Sequence, residues 1–143
     1  MELLAQIGVG GSFGLSALGA AIAMGLGGPA VIGSYKKCYV QNKPASFLLV
    51  IFAGTSLTNV IYGFVVMGAL ADVAQLVPEA VFVLGLGSGL CIAVVAIAQS
   101  MCSASAADAF AETGKGYANY MMVIGLAETV SLFAMIFTMM FAG

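Results

Sequence analysis

Four long apolar runs, separated by three short polar stretches, set the plan of this chain. The polar stretches are "SYKKCYVQNKPA" (34–45), "ADVAQLVPEA" (71–80) and "AETGKGYAN" (111–119). The runs between them predict four helices, roughly at 3–33, 46–70, 80–110 and 118–142. Crossing a membrane takes about 20 residues at about 1.5 Å rise each. The second and fourth runs fit that length, and the first and third are long enough to project beyond the hydrocarbon. In lipid every backbone group must pair internally, which long unbroken apolar runs achieve as helices rather than as alternating barrel strands. The predicted fold class is an all-α membrane protein, with a single membrane domain over 1–143.

Composition agrees with that pattern and narrows the classes. Of the 143 residues, 62% are hydrophobic and 7% are charged, against about 25% charged in soluble domains. Mean hydropathy is +1.13. A soluble domain of about 150 residues buries only about 70% of its chain surface and could not hide so much apolar area. Net charge is −2 with no basic cluster, so no nucleic-acid partner is indicated. Cys38, Cys91 and Cys102 are odd in number, without CxxC spacing and without any His, so neither a disulfide framework nor a soft-metal site is expected. The start "MELLAQIGVGG" has Glu2 and no Lys or Arg, unlike the basic start of a cleaved signal peptide, and is read as part of a retained helix.

All four lysines, Lys36, Lys37, Lys43 and Lys115, fall in the first and third connections. The positive-inside rule then makes those connections cytoplasmic and puts both termini outside. That orientation suits a bacterial plasma membrane. The two halves also resemble each other, with "AIAMG" (21–25) matching "AIAQS" (96–100). The expected unit is a two-helix hairpin repeated in parallel, 1–70 and then 71–143. Glycine concentrates in the first and third helices, while the second and fourth carry bulkier side chains. Small residues let helix backbones approach closely in lipid, and this asymmetry suits a ring with a tight inner circle and a lipid-facing outer one.

Glu128 breaks the apolar pattern of "VIGLAETVSLFAMIF" (123–137). An ionised acid at mid-bilayer costs about 2.5–3.5 kcal/mol on insertion scales, so a partner or a function normally accompanies it. Thr55, Thr58, Asn59 and Tyr62 stand at i, i+3, i+4 and i+7, on one helix face. Counted from the lysines, Asn59, Gln99 and Glu128 lie at depths of about 20–24 Å at 1.5 Å per residue. Three helices can therefore share one polar site. One carboxylate with the neutral oxygens of Thr58, Asn59 and Gln99 matches a hard monovalent cation such as Na+. A proton asks for less, a single oxygen near a protonated Glu128. Taken singly, Thr58 can bond its own backbone, and Asn59 and Gln99 can tie helices together. Asp108 and Glu112 are read as solvated, and the methionines of the fourth helix as lipid-facing or gap-filling. "ETGKGY" lacks the first Gly and the Ser/Thr of a phosphate loop, so this chain is not expected to be catalytic or to hold a cofactor.

The motifs "TNVIYGF" (58–64), "AIAQ" (96–99) and "LAET" (126–129), with the Gly-rich first helix, resemble the four-helix proteolipid, or K subunit, of V-type and A/V-type rotary ATPases. The resemblance covers the chain's length. It implies that Glu128 is the essential carboxylate, that Gln99 and Thr58 are side-chain ligands of Na+, that Thr55 offers its carbonyl, and that Tyr62 hydrogen-bonds the carboxylate. Asn59 stands where the family has Gln, and Ser56 where it has Pro. It further implies a homo-oligomeric ring of identical copies in membrane lipid, a stator subunit with an Arg, and a central stalk docked on the hydrophilic loops. An H+-carrying ring is the alternative of the same type. A small four-helix proton-coupled multidrug antiporter is the alternative of another class, and a purely structural tetraspan is a third.

Overall fold

The computed structural model describes residues 2–142. Its elements are α1 (Glu2–Val40), α2 (Leu49–Gly54), a 3-10 turn (Thr55–Leu57), α3 (Thr58–Val73), α4 (Pro78–Thr113) and α5 (Tyr117–Ala142). The segment Leu49–Val73 acts as one span, so among the described residues four helices are long and apolar enough to cross a membrane. Among the described residues there is no sheet.

The helix α1 runs past the expected end near residue 33. "SYKKCYV" stays helical because its side chains find partners on α4. The Lys37 Nζ bonds Asp108 Oδ1 at 2.8 Å and Glu112 Oε1 at 2.7 Å, and Cys38 is buried with its Sγ 3.8 Å from the Ala111 carbonyl. The hydrogen bonds to Asp108 and then to Glu112 hold the Lys37 ammonium above its ordinary value. Thus Asp108 and Glu112 are exposed, as expected, and paired as well. The helix ends where Asn42 adopts a left-handed φ of 52°. There the Lys43 N–H bonds the Cys38 carbonyl and the Asn42 N–H bonds the Tyr39 carbonyl, the paired bonds of a Schellman cap. The helix α4 stops in a similar way at Gly114, with φ 64° and its N–H on the Phe110 carbonyl.

The helices α1 and α4 run side by side in the same direction. Gly8 abuts the backbone of Val81 and Phe82, Gly19 that of Ala93, and Gly27 the side chain of Ser100. A Cβ at Gly19 or Gly85 would overlap backbone atoms of the opposite helix, so at these crossings only glycine permits the approach. The two like segments meet here, Ser100 Oγ donating to the Ala23 carbonyl. At 39 and 36 residues, these helices are about 58 and 54 Å long at 1.5 Å per residue. They extend well beyond a hydrocarbon core of about 30 Å.

The second span is not one continuous helix. It narrows to a 3-10 turn at Thr55–Leu57, although Ser56 stands where the resembled family has Pro. Side chains do that work. Thr55 Oγ1 bonds the Phe52 carbonyl at 3.2 Å, Thr58 Oγ1 the Thr55 carbonyl at 3.1 Å, and Asn59 Nδ2 the Ser56 carbonyl at 3.2 Å. Short polar side chains that capture nearby backbone carbonyls compete with helical bonding, and Gly54 just before them is a weak helix former.

Two apolar clusters lie above and below this turn. One gathers Leu49, Phe52, Phe110 and Ile124, with Tyr117 stacked edgewise on Phe52 at 5.5 Å. The other gathers Val66, Leu70, Val81 and Ile92. The helix α5 buries only Ile124, Ser131 and Thr138, a stripe of seven-residue spacing, and exposes Leu126, Phe133, Phe137, Met140 and Phe141. Such a face suits lipid as solvent.

Candidate functional site

Between the two apolar clusters, α3, α4 and α5 bring their few polar side chains to one level. Glu128 stands near the middle of α5, four residues after Ile124 and three before Ser131 on its narrow buried stripe. Both of its oxygens accept hydrogen bonds. Tyr62 Oη donates to Oε1 at 2.8 Å, and Gln99 Nε2 donates to Oε2 at 3.3 Å. These two donors, one on α3 and one on α4, fix the position of the Glu128 carboxyl group.

Gln99 is fully buried and spends its other end on Asn59, whose Nδ2 donates to Gln99 Oε1 at 2.7 Å. Asn59 is also fully buried. It makes no bond to Glu128, and its carbonyl oxygen accepts from Ser131 Oγ. Thr58 Oγ1 bonds the Thr55 carbonyl, so the hydroxyl and the carbonyl expected to face an ion face each other. Thr55 Oγ1 lies 2.7 Å from Ser103 Oγ, which bonds the Gln99 carbonyl at 3.0 Å. Thr129 turns away, exposed, to the carbonyl of Leu126.

A groove of about 480 Å³ opens beside the carboxylate, lined by Thr55, Thr58, Gln99 and Glu128 with apolar Ile51 and Ile124. Asn59 and Tyr62 lie outside its lining. Among the described residues no three His, Cys, Asp or Glu side chains come together. Glu128 is the acidic residue in the groove lining, beside the neutral oxygens of Thr55, Thr58 and Gln99.

Sequence reasoning passed over Ser131 and Ser103. Both were legible as helix neighbours, since Ser131 is i+3 from Glu128 and Ser103 is i+4 from Gln99, positions that share a face. Nothing marked them, because Ser is common in membrane helices as packing.

Residues 82–141 match the family model that describes the C subunit of ATP synthase. The match takes in most of α4 and nearly all of α5, so the second half of the chain is similar to that family. Members of that family are non-catalytic ion carriers. The matched segment contains Gln99, Ser131 and Glu128. No curated protein matches the chain by sequence.

Proposed function

We propose that this chain is a rotor-ring subunit of a V-type (A/V-type) ATPase that carries Na+ on Glu128. Identical copies, each built of tandem hairpins 1–70 and 71–143, would form the ring in the lipid of a bacterial plasma membrane, with the lysine-bearing connections cytoplasmic. The observation that carries the reading is the mid-span carboxylate bonded by Tyr62 and Gln99 beside a groove lined by Thr55 and Thr58. Glu128 supplies the charge, Thr58 and Gln99 supply side-chain oxygens, and Thr55 supplies its carbonyl. Asn59 acts one bond further back, through Gln99.

The physical logic is charge balance. A bare carboxylate is expensive in hydrocarbon, and a bound cation or proton cancels its charge. A loaded site can therefore turn through lipid. An unloaded one needs a polar counterpart, which an Arg on a stator subunit would provide at the access channel. ATP hydrolysis or synthesis in soluble partners would couple through a central stalk on the connections. Lys36 and Lys115 are exposed there, while Lys37 and Lys43 bond α4 within the chain.

A proton as the carried ion is the second reading. It is favoured by the orientation of Gln99, which turns an N–H rather than its oxygen toward Glu128. Carbodiimide attack on Glu128 in the purified oligomer, followed by mass spectrometry, separates the two. Saturable protection by NaCl, but not by KCl at equal ionic strength, is expected for a sodium carrier. Labelling that follows pH alone would make the ring a proton carrier.

A further inference from the structure

The helices α1 and α4 are counterparts in the internal repeat, yet each packs through a face that the other leaves bare. At an offset of 75 residues "AIA" (21–23) falls on "AIA" (96–98), Gly10 on Gly85 and Gly14 on Gly89. The helix α4 meets α1 through Gly85, Gly89 and Ser100. Their counterparts on α1, Gly10, Gly14 and Gly25, have open space where a Cβ would stand. The reverse holds as well. The helix α1 meets α4 through Gly8, Gly19 and Gly27, whose counterparts on α4, Val83, Val94 and Cys102, are exposed.

Each helix therefore has one occupied face and one bare face. Gly8 and Gly10, like Gly27 and Gly25, stand two residues apart, about 200° around an α-helix, so the two faces are nearly opposite. The bare face of α1 is built like the face that α4 uses, and the bare face of α4 corresponds to the face that α1 uses. A second copy can thus repeat between chains the seam already formed within one. Shifted by the offset, the contact of Gly27 with Ser100 becomes Cys102 against Gly25 of the next copy. The contact of Gly19 with Ala93 becomes Val94 against Leu18 of the next copy.

We propose that copies of this chain pack head to tail through a second α1–α4 seam, in which Gly10, Gly14 and Gly25 of one copy receive Val83, Gly87 and Cys102 of its neighbour. Small residues are what lets helices associate closely in lipid, and here valine and thiol side chains fill the space above bare glycines. The seam between copies is therefore wider than the backbone-to-backbone seam within a chain. Head-to-tail contacts close into a ring when the rotation permits. With the two faces nearly opposite, α1 and α4 alternate in a gently curving row, and closure takes many copies. Charge agrees with this register. Lys37 and Glu112 are themselves counterparts at the same offset of 75, so their bond within a chain implies Glu112 beside Lys37 of the next copy. Both keep exposed surface for that contact, which fixes register more than it adds affinity. The inference rests on the proposed function for one point, that copies assemble, and does not depend on what Glu128 carries.

The test is oxidation by molecular iodine of membranes carrying Gly25→Cys, with the native Cys102 as the expected partner thiol. A disulfide needs Cα atoms about 4.4–6.8 Å apart, and within one chain these two positions lie on faces turned away from each other. Denaturing electrophoresis is expected to show a ladder running past the dimer, absent from the native protein and lost when Cys102→Ser is added. Should Gly25→Cys fail to assemble, Gly14→Cys with Gly87→Cys, in a chain carrying Cys91→Ser and Cys102→Ser, is expected to give the same ladder. A product that stops at the dimer would make the contact isologous and overturn the proposal. Monomers alone, from an oligomer whose intact mass is that of many copies, would overturn these faces and leave the ring standing, with lipid against them. An intact mass of one copy would remove the seam and the ring together.

Discussion

The helix α4 presents two contrasting surfaces. Toward α1 it offers Gly85, Gly89 and Ala93, against which Gly8, Gly11 and Gly19 lie backbone to backbone. Toward α3 and α5 it offers Gln99 and Ser103, set in a network of side-chain hydrogen bonds. The seam with α1 has almost no chemistry and no spare room. The polar site has chemistry and a groove of about 480 Å³ beside it. The contrast points to a division of labour, in which a close-packed pair of long helices forms the scaffold and the other face of α4 carries the polar groups.

That division is tested most severely at Glu128. Glu128→Gln keeps the shape and removes the charge that balances an ion, so ion transport coupled to ATP turnover in the assembled complex is expected to fall to background. Full transport in that variant would remove the site from the function. Tyr62→Phe comes next, since a hydrogen bond to a charged group is worth about 1.5–3 kcal/mol. Labelling of Glu128 by carbodiimide at one fixed pH should then run several-fold faster than in the native protein, and an unchanged rate would deny Tyr62 its hold on the carboxyl group.

On the seam, Gly19→Ala forces a Cβ into the backbone of Ala93, a form of overpacking that typically costs about 1–3 kcal/mol. Gly68 on α3 has no neighbour within 4 Å of an added Cβ, so Gly68→Ala should be neutral or slightly stabilising through helix propensity. Thermal unfolding of the two variants in the same detergent sets the tight seam against the open face, and equal melting temperatures would deny the seam its role. Lys37→Met, at the polar end, should do least. Its ion pairs are exposed, and such pairs are screened by solvent. Because the folded protein raises the Lys37 value above 10.5, its contribution is fully present below pH 10.5 and is lost as pH rises through the raised value. The melting difference from the native protein should therefore vanish in strong alkali.

Much of the architecture was legible. The three polar stretches located the four spans because lipid imposes length and apolarity directly on sequence. "AIAMG", "AIAQS" and the glycines pointed to a repeat and to close packing, while the pairing of α1 with α4 within one chain came from the structure. The ends were read short for α1, since "SYKKCYV" looks like a loop until Asp108, Glu112 and Ala111 are known to lie beside it. The broken second span was not readable from a missing Pro, because the 3-10 turn rests on Thr55, Thr58 and Asn59 bonding their own backbone.

Residue order alone was enough to put this chain in a membrane as four helices, with Glu128, Gln99 and Asn59 at similar depth and Thr55, Thr58 and Tyr62 on the helix face of Asn59. Depth follows from counting residues at a fixed rise, so it needs no knowledge of neighbours. Who bonds whom came from the packing of the helices: Tyr62 and Gln99 on the carboxylate, Asn59 behind Gln99, and Ser131 behind Asn59. Helix rotation and side-chain direction set those partners. Donor and acceptor ends of an amide are interchangeable in a sequence and become distinct only when an acceptor-only group, here the Ser56 carbonyl, stands at a fixed place beside them.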